Sequence, residues 1–345
     1  MEHPFISIII PCKNEEKYID DCLNAIYASK YEGDFEVIIA DGMSTDNTKK
    51  IIENFQLKNT NLVIVNNPGL IVPKGMNMAL RAAKGEIIIR IDGHTQIAED
   101  YIQYCVDFMM SSEADNVGGR MIAIGETRFG ETVAVVTSTP FGIGGSRFHY
   151  SDHEELVDSV YMGAWRREVF TRIGLFDEEL VRNQDDEFNY RLRKHGGRIL
   201  LSPKIKSKYT VRGSPKALWK QYFQYGFWKV RVLQKHPLQM SIRHFVPPLF
   251  VISLIVFGII SIILPWFWNV FLLVLGSYLV TNLSVSIITA VQKSLKQIFL
   301  LPFVFAILHL SYGSGFLCGL IKFYNRWGDK QGKVPELILT YDKPK

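Results

Sequence analysis

Between Arg243 and Lys293 the chain has no Asp, Glu, Lys or Arg, and this gap limits its possible folds more than any other feature. Two runs lie in it, FVPPLFVISLIVFGIISIIL (245–264) and WFWNVFLLVLGSYLVTNLSVSIITAV (266–291). As helices, each is long enough to cross ~30 Å of hydrocarbon. Pro265 with Trp266 and Trp268 separates them, as expected of a tight hairpin at a membrane interface. A third run, IFLLPFVFAILHLSYGSGFLCGLI (298–321), is as long but is interrupted by His309 and by Ser311-Tyr312-Gly313-Ser314-Gly315. Buried helices of water-soluble proteins usually carry apolar runs of about 10–14 residues, so a soluble helical hairpin is the weaker reading.

Charge divides the chain in the same place. Residues 1–187 hold 31 of the 34 acidic residues, and 22 of the 39 basic ones follow them. No acid occurs between Glu187 and Asp329. Residues 204–243 contain ten Lys/Arg, interleaved with Trp219, Tyr222, Phe223, Tyr225, Phe227 and Trp228. Basic and aromatic residues together also suit nucleic acid. Here they run directly into an apolar segment, so an interfacial helix on an anionic membrane is expected and a nucleic-acid partner is not. The positive-inside rule then puts this side in the cytoplasm. Lys293 and Lys296 fit that side after a two-helix hairpin, and Lys322, Arg326, Lys330 and Lys333 prefer it too. Three full crossings would put the last four outside. Two alternatives stand: the third run crosses against the charge bias, or it is re-entrant and breaks at its Ser/Gly segment.

The first 200 residues alternate short β-branched runs with amphipathic stretches. FISIII (5–10), FEVIIA (35–40), LVIV (62–65) and EIIIRI (86–91) read as strands. Residues 16–28, 45–55, 74–83 and 99–112 read as helices, the first presenting Ile19, Cys22, Leu23 and Ile26 on one face. This order predicts an α/β domain with a mostly parallel sheet covered by helices. The expected organisation is a catalytic domain over 1–203, a basic interfacial segment over 204–243, membrane helices over 244–325 and a basic tail over 326–345. Cys12, Cys22, Cys105 and Cys318 form no C-x-x-C, so neither a zinc site nor a disulfide framework is suggested. The N-terminus has no basic start and only a short apolar run, unlike a signal peptide.

In open α/β sheets, ligands bind outside the carboxyl ends of the strands. Strand one ends in Pro11-Cys12-Lys13-Asn14-Glu15, strand two in Asp41-Gly42-Met43-Ser44-Thr45-Asp46, and strand four in Asp92-Gly93-His94. Three strands thus bring a carboxylate to one edge. A single such carboxylate is an ordinary helix cap; three together are not. No G-x-G-x-x-G follows any strand and no G-x-x-x-x-G-K-[ST] exists, which excludes the usual dinucleotide and P-loop sites. A carboxylate-rich edge accepts phosphate only through a divalent cation. Asp92 and a neutral His94 offer oxygen and nitrogen suited to Mn²⁺ or Mg²⁺, and Gly93 is expected to let the chain turn so that both converge.

The constellation resembles family 2 glycosyltransferases of the GT-A fold, specifically over the first 200 residues and more loosely beyond. Pro11-x-x-Asn14-Glu15 resembles the family's opening motif and Asp41-Gly-x-Ser44-x-Asp46 its uridine-binding segment. Asp92-x-His94 occupies the place of its D-x-D motif, with His in the third position. The resemblance implies that Pro11, Glu15 and Asp41 bind the donor nucleotide, that Asp92 and His94 hold its diphosphate through the metal, and that Lys74 approaches the diphosphate. Residues 181–197, VRNQDDEFNYRLRKHGG, read as a helix with Phe188, Leu192 and His195 on one face. They resemble the family's E-D-x-[DE]-[LF]-x-x-R segment, which by position makes Asp185 the catalytic base, with Gln184 in place of the usual Glu. Gly163, Ala164, Asp186 and Arg191 are expected on the acceptor side. Gln221-Tyr-Phe-Gln224-Tyr225 differs at two defining positions from the Q-x-x-R-W of processive synthases, so processivity is not implied.

The pattern as a whole, including LHLSYGSGF (308–316), resembles exopolysaccharide glucosyltransferases of the succinoglycan type. An inverting transfer from a nucleoside-diphosphate sugar, with a UDP-hexose as the expected donor, to a polyprenyl-diphosphate-linked saccharide is implied. The expected location is the inner membrane, multi-pass, with the catalytic domain in the cytoplasm. Two rivals stand beside it. One is a transferase whose acceptor is the polyprenyl phosphate itself; the other is a non-catalytic membrane scaffold.

Overall fold

The computed structural model describes residues 3–338; of the expected tail, 339–345 lie outside the described residues. The chain folds as two compact units. The first comprises residues 1–122, 147–209 and 332–345, and the second residues 123–146 and 210–331. Neither unit is continuous in sequence.

In chain order the elements begin with β1 (Ile6–Cys12), α1 (Ile19–Tyr27), β2 (Phe35–Asp41), α2 (Thr48–Lys58), β3 (Leu62–Asn66), α3 (Val72–Ala82) and β4 (Ile87–Arg90). Next come β5 (Thr95–Ile97), α4 (Tyr101–Ser111), β6 (Asn116–Ile124), α5 (Arg128–Thr137), α6 (Pro140–Ile143), β7 (Glu155–Leu156) and β8 (Tyr161–Arg166). The chain continues through α7 (Glu168–Ile173), α8 (Gln184–Lys194), β9 (Ile199–Thr210) and α9 (Pro215–Lys235). It closes with α10 (Val246–Ile263), α11 (Phe267–Lys293) and α12 (Leu301–Lys322).

The first unit is built on a mixed sheet of order β3-β2-β1-β4-β8-β6-β9-β5, with β7 beside β9. The expected parallel portion is β1 to β4, in the register Ile8↔Val37 and Ile8↔Ile89. Both faces of these strands are buried, which explains why they are continuous apolar runs. Ile6, Ile8 and Ile10 of β1 face one core with Ile87 and Ile89, while Ile9 faces the other with Ile38 and Ile88. The first core is closed by Ile19, Cys22, Leu23 and Ile26, the four residues of the predicted helical face. In the second, Phe170, Phe176 and Phe188 pack edge-on to Trp165, and Phe176 and Phe188 stack with centroids 4.4 Å apart.

The second unit is helical. The expected interfacial stretch 204–243 is split: residues 204–210 belong to β9, and only α9 is a long helix. Three of the ten basic residues, Lys229, Arg231 and Lys235, are buried instead of facing a membrane surface. Arg231 donates to Gln234 Oε1 (2.6 Å), pairs with Asp329 (3.6 Å) and lies over the Phe323 ring. α12 is unbroken, which removes the alternative of a break at its Ser/Gly segment. Those glycines serve packing. A Cβ on Gly226 of α9 would lie 2.0 Å from the Tyr312 carbonyl oxygen, and one on Gly315 would lie 2.0 Å from that of Phe223. Small residues let the two helices meet backbone to backbone. Three helices, α10, α11 and α12, are long and apolar enough to cross a membrane.

A larger side chain at these contacts meets a carbonyl, which no rotamer relieves. Overpacking typically costs about 1–3 kcal/mol, and here the upper end applies. Gly226→Leu and Gly315→Leu are expected to lower the melting temperature of the detergent-solubilised protein by several degrees. Gly276→Leu on α11, where nothing lies within 4 Å of the added Cβ, should leave it unchanged. Equal effects at all three positions would refute the close α9–α12 contact.

Candidate active site

β1, β2 and β4 are parallel neighbours, so their ends share one edge, as the sequence predicts. The loops after β1 and β2 are laced together. Asn14, with φ of 53°, accepts from Thr45 N–H through Oδ1 (2.9 Å) and donates its own N–H to Ser44 Oγ (2.9 Å). Glu15 N–H donates to Thr48 Oγ1 (2.7 Å). Asp41 is buried and accepts from the Ser44 hydroxyl (2.6 Å) and the Ser44 N–H (3.2 Å). Pro11 pairs with Ala40 one step back from this edge. Lys74 packs its stem over Gly69, in the turn whose Asn67 N–H donates to the Asp41 carbonyl (2.7 Å). It therefore sits at the β2 end of the edge, two strand spacings or ~10 Å from β4.

At the β4 end, the group that organises the site is Arg90, which the sequence reading passes over. Its side chain is 6 % exposed. Nε donates to Asp92 Oδ1 (2.8 Å), and a terminal nitrogen pairs with Asp185 of α8. Tyr161 of β8, also missed, donates to Asp92 Oδ2 (3.3 Å) and shares a hydrogen bond with Thr95 Oγ1 (2.8 Å). A signal for Arg90 existed: it is the one charge in Ile87-Ile88-Ile89-Arg90-Ile91, and a buried arginine needs a counter-charge. Tyr161 carried no comparable signal.

Burial shifts the acidities here, and charge decides between the two aspartates. Burial alone would raise Asp92, but Arg90, His94 and the hydrogen bonds from Arg90 and Tyr161 outweigh it and hold Asp92 below the usual aspartate value. Asp185, whose side chain is 37% exposed, is raised above that value chiefly by partial desolvation; Arg90 pulls the other way and Asp92 adds to the rise. Burial, with Asp92 next, pushes the Tyr161 hydroxyl well up, so it stays a donor. Two carboxylates on one guanidinium thus have acidities pushed apart, the pattern that separates a permanent anion from a proton acceptor.

His94 Nδ1 lies 3.0 Å from Glu15 Oε1, and its ring meets Tyr209 edge-on. A carboxylate at Nδ1 places the proton there and leaves the lone pair on Nε2, as the outer carboxylate of a metal-bound histidine does. Gly93 lies in the expected turn, which the Thr95 N–H closes on the Asp92 carbonyl (2.9 Å) without a positive φ. It supplies room: a Cβ would lie 3.3 Å from Cys12 Cβ and 3.5 Å from Glu15 Cγ. Among the described residues, no group of three or more His, Cys, Asp or Glu is arranged to hold a metal. Asp92 and His94 therefore fit a divalent ion only as a two-ligand site completed by substrate oxygens and water, a common arrangement for ions bound with phosphates.

The residues expected on the acceptor side are not drawn together. Asp186 stands beside Asp185 in the first turn of α8. Arg191 spends all five N–H groups inside the protein, on both Glu187 oxygens and on the carbonyls of Ile173, Gly174 and Leu175. It retains no donor for an acceptor and instead holds the turn after α7. Ala164 is fully buried between Ile89 and Val117, and Gly163, with φ of 111°, is pressed against Asn116 and Trp165. His195 is exposed at the end of α8, off the buried face expected for it.

The opposed acidities make a test. Asp92, lowered on folding, contributes stability above the ordinary aspartate value near 3.8, lost as pH falls through its lower folded value. Asp185, raised on folding, carries a penalty at neutral pH that fades as pH falls below its raised folded value. Thermal unfolding at pH 7 should therefore show Asp92→Asn destabilised and Asp185→Asn unchanged or more stable, with the difference narrowing in acid. Equal destabilisation of both would contradict the assignment.

Comparison with known proteins agrees with the fold. The family model described as "Glycosyl transferase family 2" matches residues 7–174, ending before α8. The succinoglycan biosynthesis protein ExoA of Rhizobium meliloti is 28% identical over 321 residues, 92% of this chain and 96% of that protein. The dolichyl N-acetyl-alpha-D-glucosaminyl phosphate 3-beta-D-2,3-diacetamido-2,3-dideoxy-beta-D-glucuronosyltransferase of Methanococcus voltae is 32% identical over 240 residues, 67% of this chain and 74% of that protein. The solved mannosyltransferase PcManGT of Pyrobaculum calidifontis, in complex with GDP-Man and Mn2+, superposes with a TM-score of 0.58 over 92% of this chain and 88% of its own, at 18% identity. That likeness is one of fold.

Proposed function

This chain belongs to glycosyl transferase family 2 and is a glycosyltransferase, and we propose that it moves a hexose from a UDP-sugar to a polyprenyl-diphosphate-linked saccharide with inversion at the anomeric carbon. The observation that carries this reading is the Asp92–Arg90–Asp185 arrangement, in which one carboxylate is held ionised and the other is made more basic. Asp185 takes the proton of the acceptor hydroxyl as that oxygen attacks the anomeric carbon. The nucleoside diphosphate leaves from the opposite face, and one in-line displacement inverts the centre. Arg90 positions both aspartates. Asp41 and Glu15, on the adjoining strand ends, border the donor nucleotide, and Glu15 also orients His94. Asp92 and His94 would hold a divalent cation, Mn²⁺ or Mg²⁺, which when bound supplies positive charge to the departing diphosphate.

The lipid-linked acceptor rests on two supports. One is the printed function of the relatives, a succinoglycan biosynthesis protein and a dolichyl-linked sugar transferase. The other is the three helices of membrane-spanning length. The proposed location is the inner membrane with the catalytic unit in the cytoplasm, a side that the exposed basic residues around α9 support.

Calorimetric titration of the full-length protein in nanodiscs with UDP and GDP tests the donor site. Binding of UDP that needs Mn²⁺ and is lost in Asp92→Ala is expected; a folded wild type that binds neither nucleotide with the metal present would sink the site assignment. For the base, Asp185→Asn should lower kcat by about 10²–10⁴-fold with little change in donor KM. A loss below tenfold would instead mean an acceptor already ionised, such as the polyprenyl phosphate. Because Arg90 lowers Asp185, the acid limb of kcat/KM should lie above the ordinary aspartate value and move to higher pH in Arg90→Met.

A further inference from the structure

Three helices could cross a bilayer by length and composition, yet the chain's own contacts require an even number of crossings. The first observation is the fate of the segment after α12. Lys333 N–H donates to Asp177 Oδ1, Glu178 N–H to the Lys333 carbonyl, and Leu175 N–H to the Pro335 carbonyl, each at 2.8 Å. Leu337 is buried in the same core as Phe176 and Phe188. Residues 332–338 are thus part of the catalytic unit's fold and lie on its side of any membrane. A chain that leaves this unit before α10 and rejoins it after α12 must cross an even number of times.

The second observation says which helices make the pair. The α11–α12 connection is held by residues 123–146. Lys293 Nζ donates to the Ser138 carbonyl (2.9 Å) and hydroxyl (2.8 Å), Thr132 to Gln297 Oε1 (2.6 Å), and Gln297 Nε2 to Glu131 (3.0 Å). Residues 123–146 depart from the catalytic unit and return to it, and their longest helix, α5, has 10 residues. Such a helix is ~15 Å long and cannot cross ~30 Å of hydrocarbon. The end of α11 is therefore on the catalytic side, as is the start of α10, where Arg243 lies against Gly144 and Gly145.

A third observation separates α12 from its neighbours. Only 11% of the apolar windows of α10 and α11 is buried within the protein, against 50% for α12. Along its length α12 meets groups of the catalytic side. His309 Nε2–H donates to the Phe141 carbonyl (2.9 Å), Gly315 abuts Phe223 of α9, and the Phe323 carbonyl accepts from Gln234 (2.8 Å). Tyr278, which bonds His309 Nδ1, stacks on Phe250 in the second turn of α10, so this polar cluster sits near that helix's starting end. At the opposite turn, Trp266 and Trp268 are 70% and 51% exposed, as residues of an aromatic belt at the far interface would be.

We infer that α10 and α11 alone cross the bilayer, that α12 remains with α9 on the catalytic side at the membrane interface, and that the C-terminus is on that side. Lys322, Arg326, Lys330 and Lys333 then obey the positive-inside rule without exception. The inference is independent of the donor and acceptor proposed above.

Single cysteines test it in the full-length protein carrying Cys318→Ser, since Cys12, Cys22 and Cys105 are buried. Pro265→Cys at the hairpin turn, Lys296→Cys before α12 and Lys330→Cys after it are all at exposed positions. They are treated with a membrane-impermeant maleimide in spheroplasts and again after lysis. Expected is labelling of Pro265→Cys in intact spheroplasts, and of Lys296→Cys and Lys330→Cys only after lysis, by at least tenfold. Labelling of Lys330→Cys from outside would establish a third crossing, and protection of Pro265→Cys until lysis would establish none; either overturns the inference. Wild type with a C-terminal epitope gives the same reading without substitution: antibody access to it in intact spheroplasts contradicts the proposed topology.

Discussion

A guanidinium buried at the end of a strand cannot stand without counter-charge, because the desolvated cation would otherwise cost several kcal/mol. Arg90 meets that requirement twice, with Asp92 two residues on and Asp185 on a helix formed 95 residues later. The pairing joins β4 to α8 and so sets where the first turn of α8 lies on the sheet edge. It also divides the labour of the carboxylates. Asp92, gripped by Arg90 and Tyr161, stays an anion; Asp185, with one contact to the same cation, is left more basic. Without Arg90 the two aspartates would be like charges in a shared enclosure, and one would bind a proton.

The surrounding residues keep this edge in shape without taking part in it. Arg191 is committed to Glu187 and to three carbonyls after α7, which fixes α8 against the turn that also receives residues 332–335. The aromatic group of Trp165, Phe170, Phe176 and Phe188 fills the space beneath. In the helical unit the same role falls to close backbone contact. Gly226, Gly315 and Gly319 bring α9 and α12 together, and Arg231 is neutralised by Asp329, one of only three acids after Glu187. Residues 123–146 lie in the middle of the catalytic sequence yet fold with the long apolar helices, so the two units are interleaved along the chain.

Much of this was readable in the sequence wherever one local rule sufficed. Continuous Ile runs marked strands buried on both faces, and the spacing of Ile19, Cys22, Leu23 and Ile26 marked the face of α1. The carboxylates at three strand ends marked the edge, because parallel strands must deliver their ends together. The length and composition of the uncharged runs marked the helices long and apolar enough to cross a membrane. Partner choice was not readable, since it depends on groups far apart in sequence. Nothing near Arg90 names Asp185, nothing near His94 names Glu15 as its partner, and nothing in Lys333 names Asp177. The glycines of α12 were legible as glycines but not by purpose: break and close contact look alike until the opposing backbone is in place. By itself, then, the sequence determined the class of fold, the edge where the strand-end carboxylates gather and the presence of helices long and apolar enough to cross a membrane, all consequences of periodicity and hydropathy. The tertiary structure decided which charges meet, which glycines touch and which side the chain returns to, because those depend on where distant segments are brought by the packing of the whole.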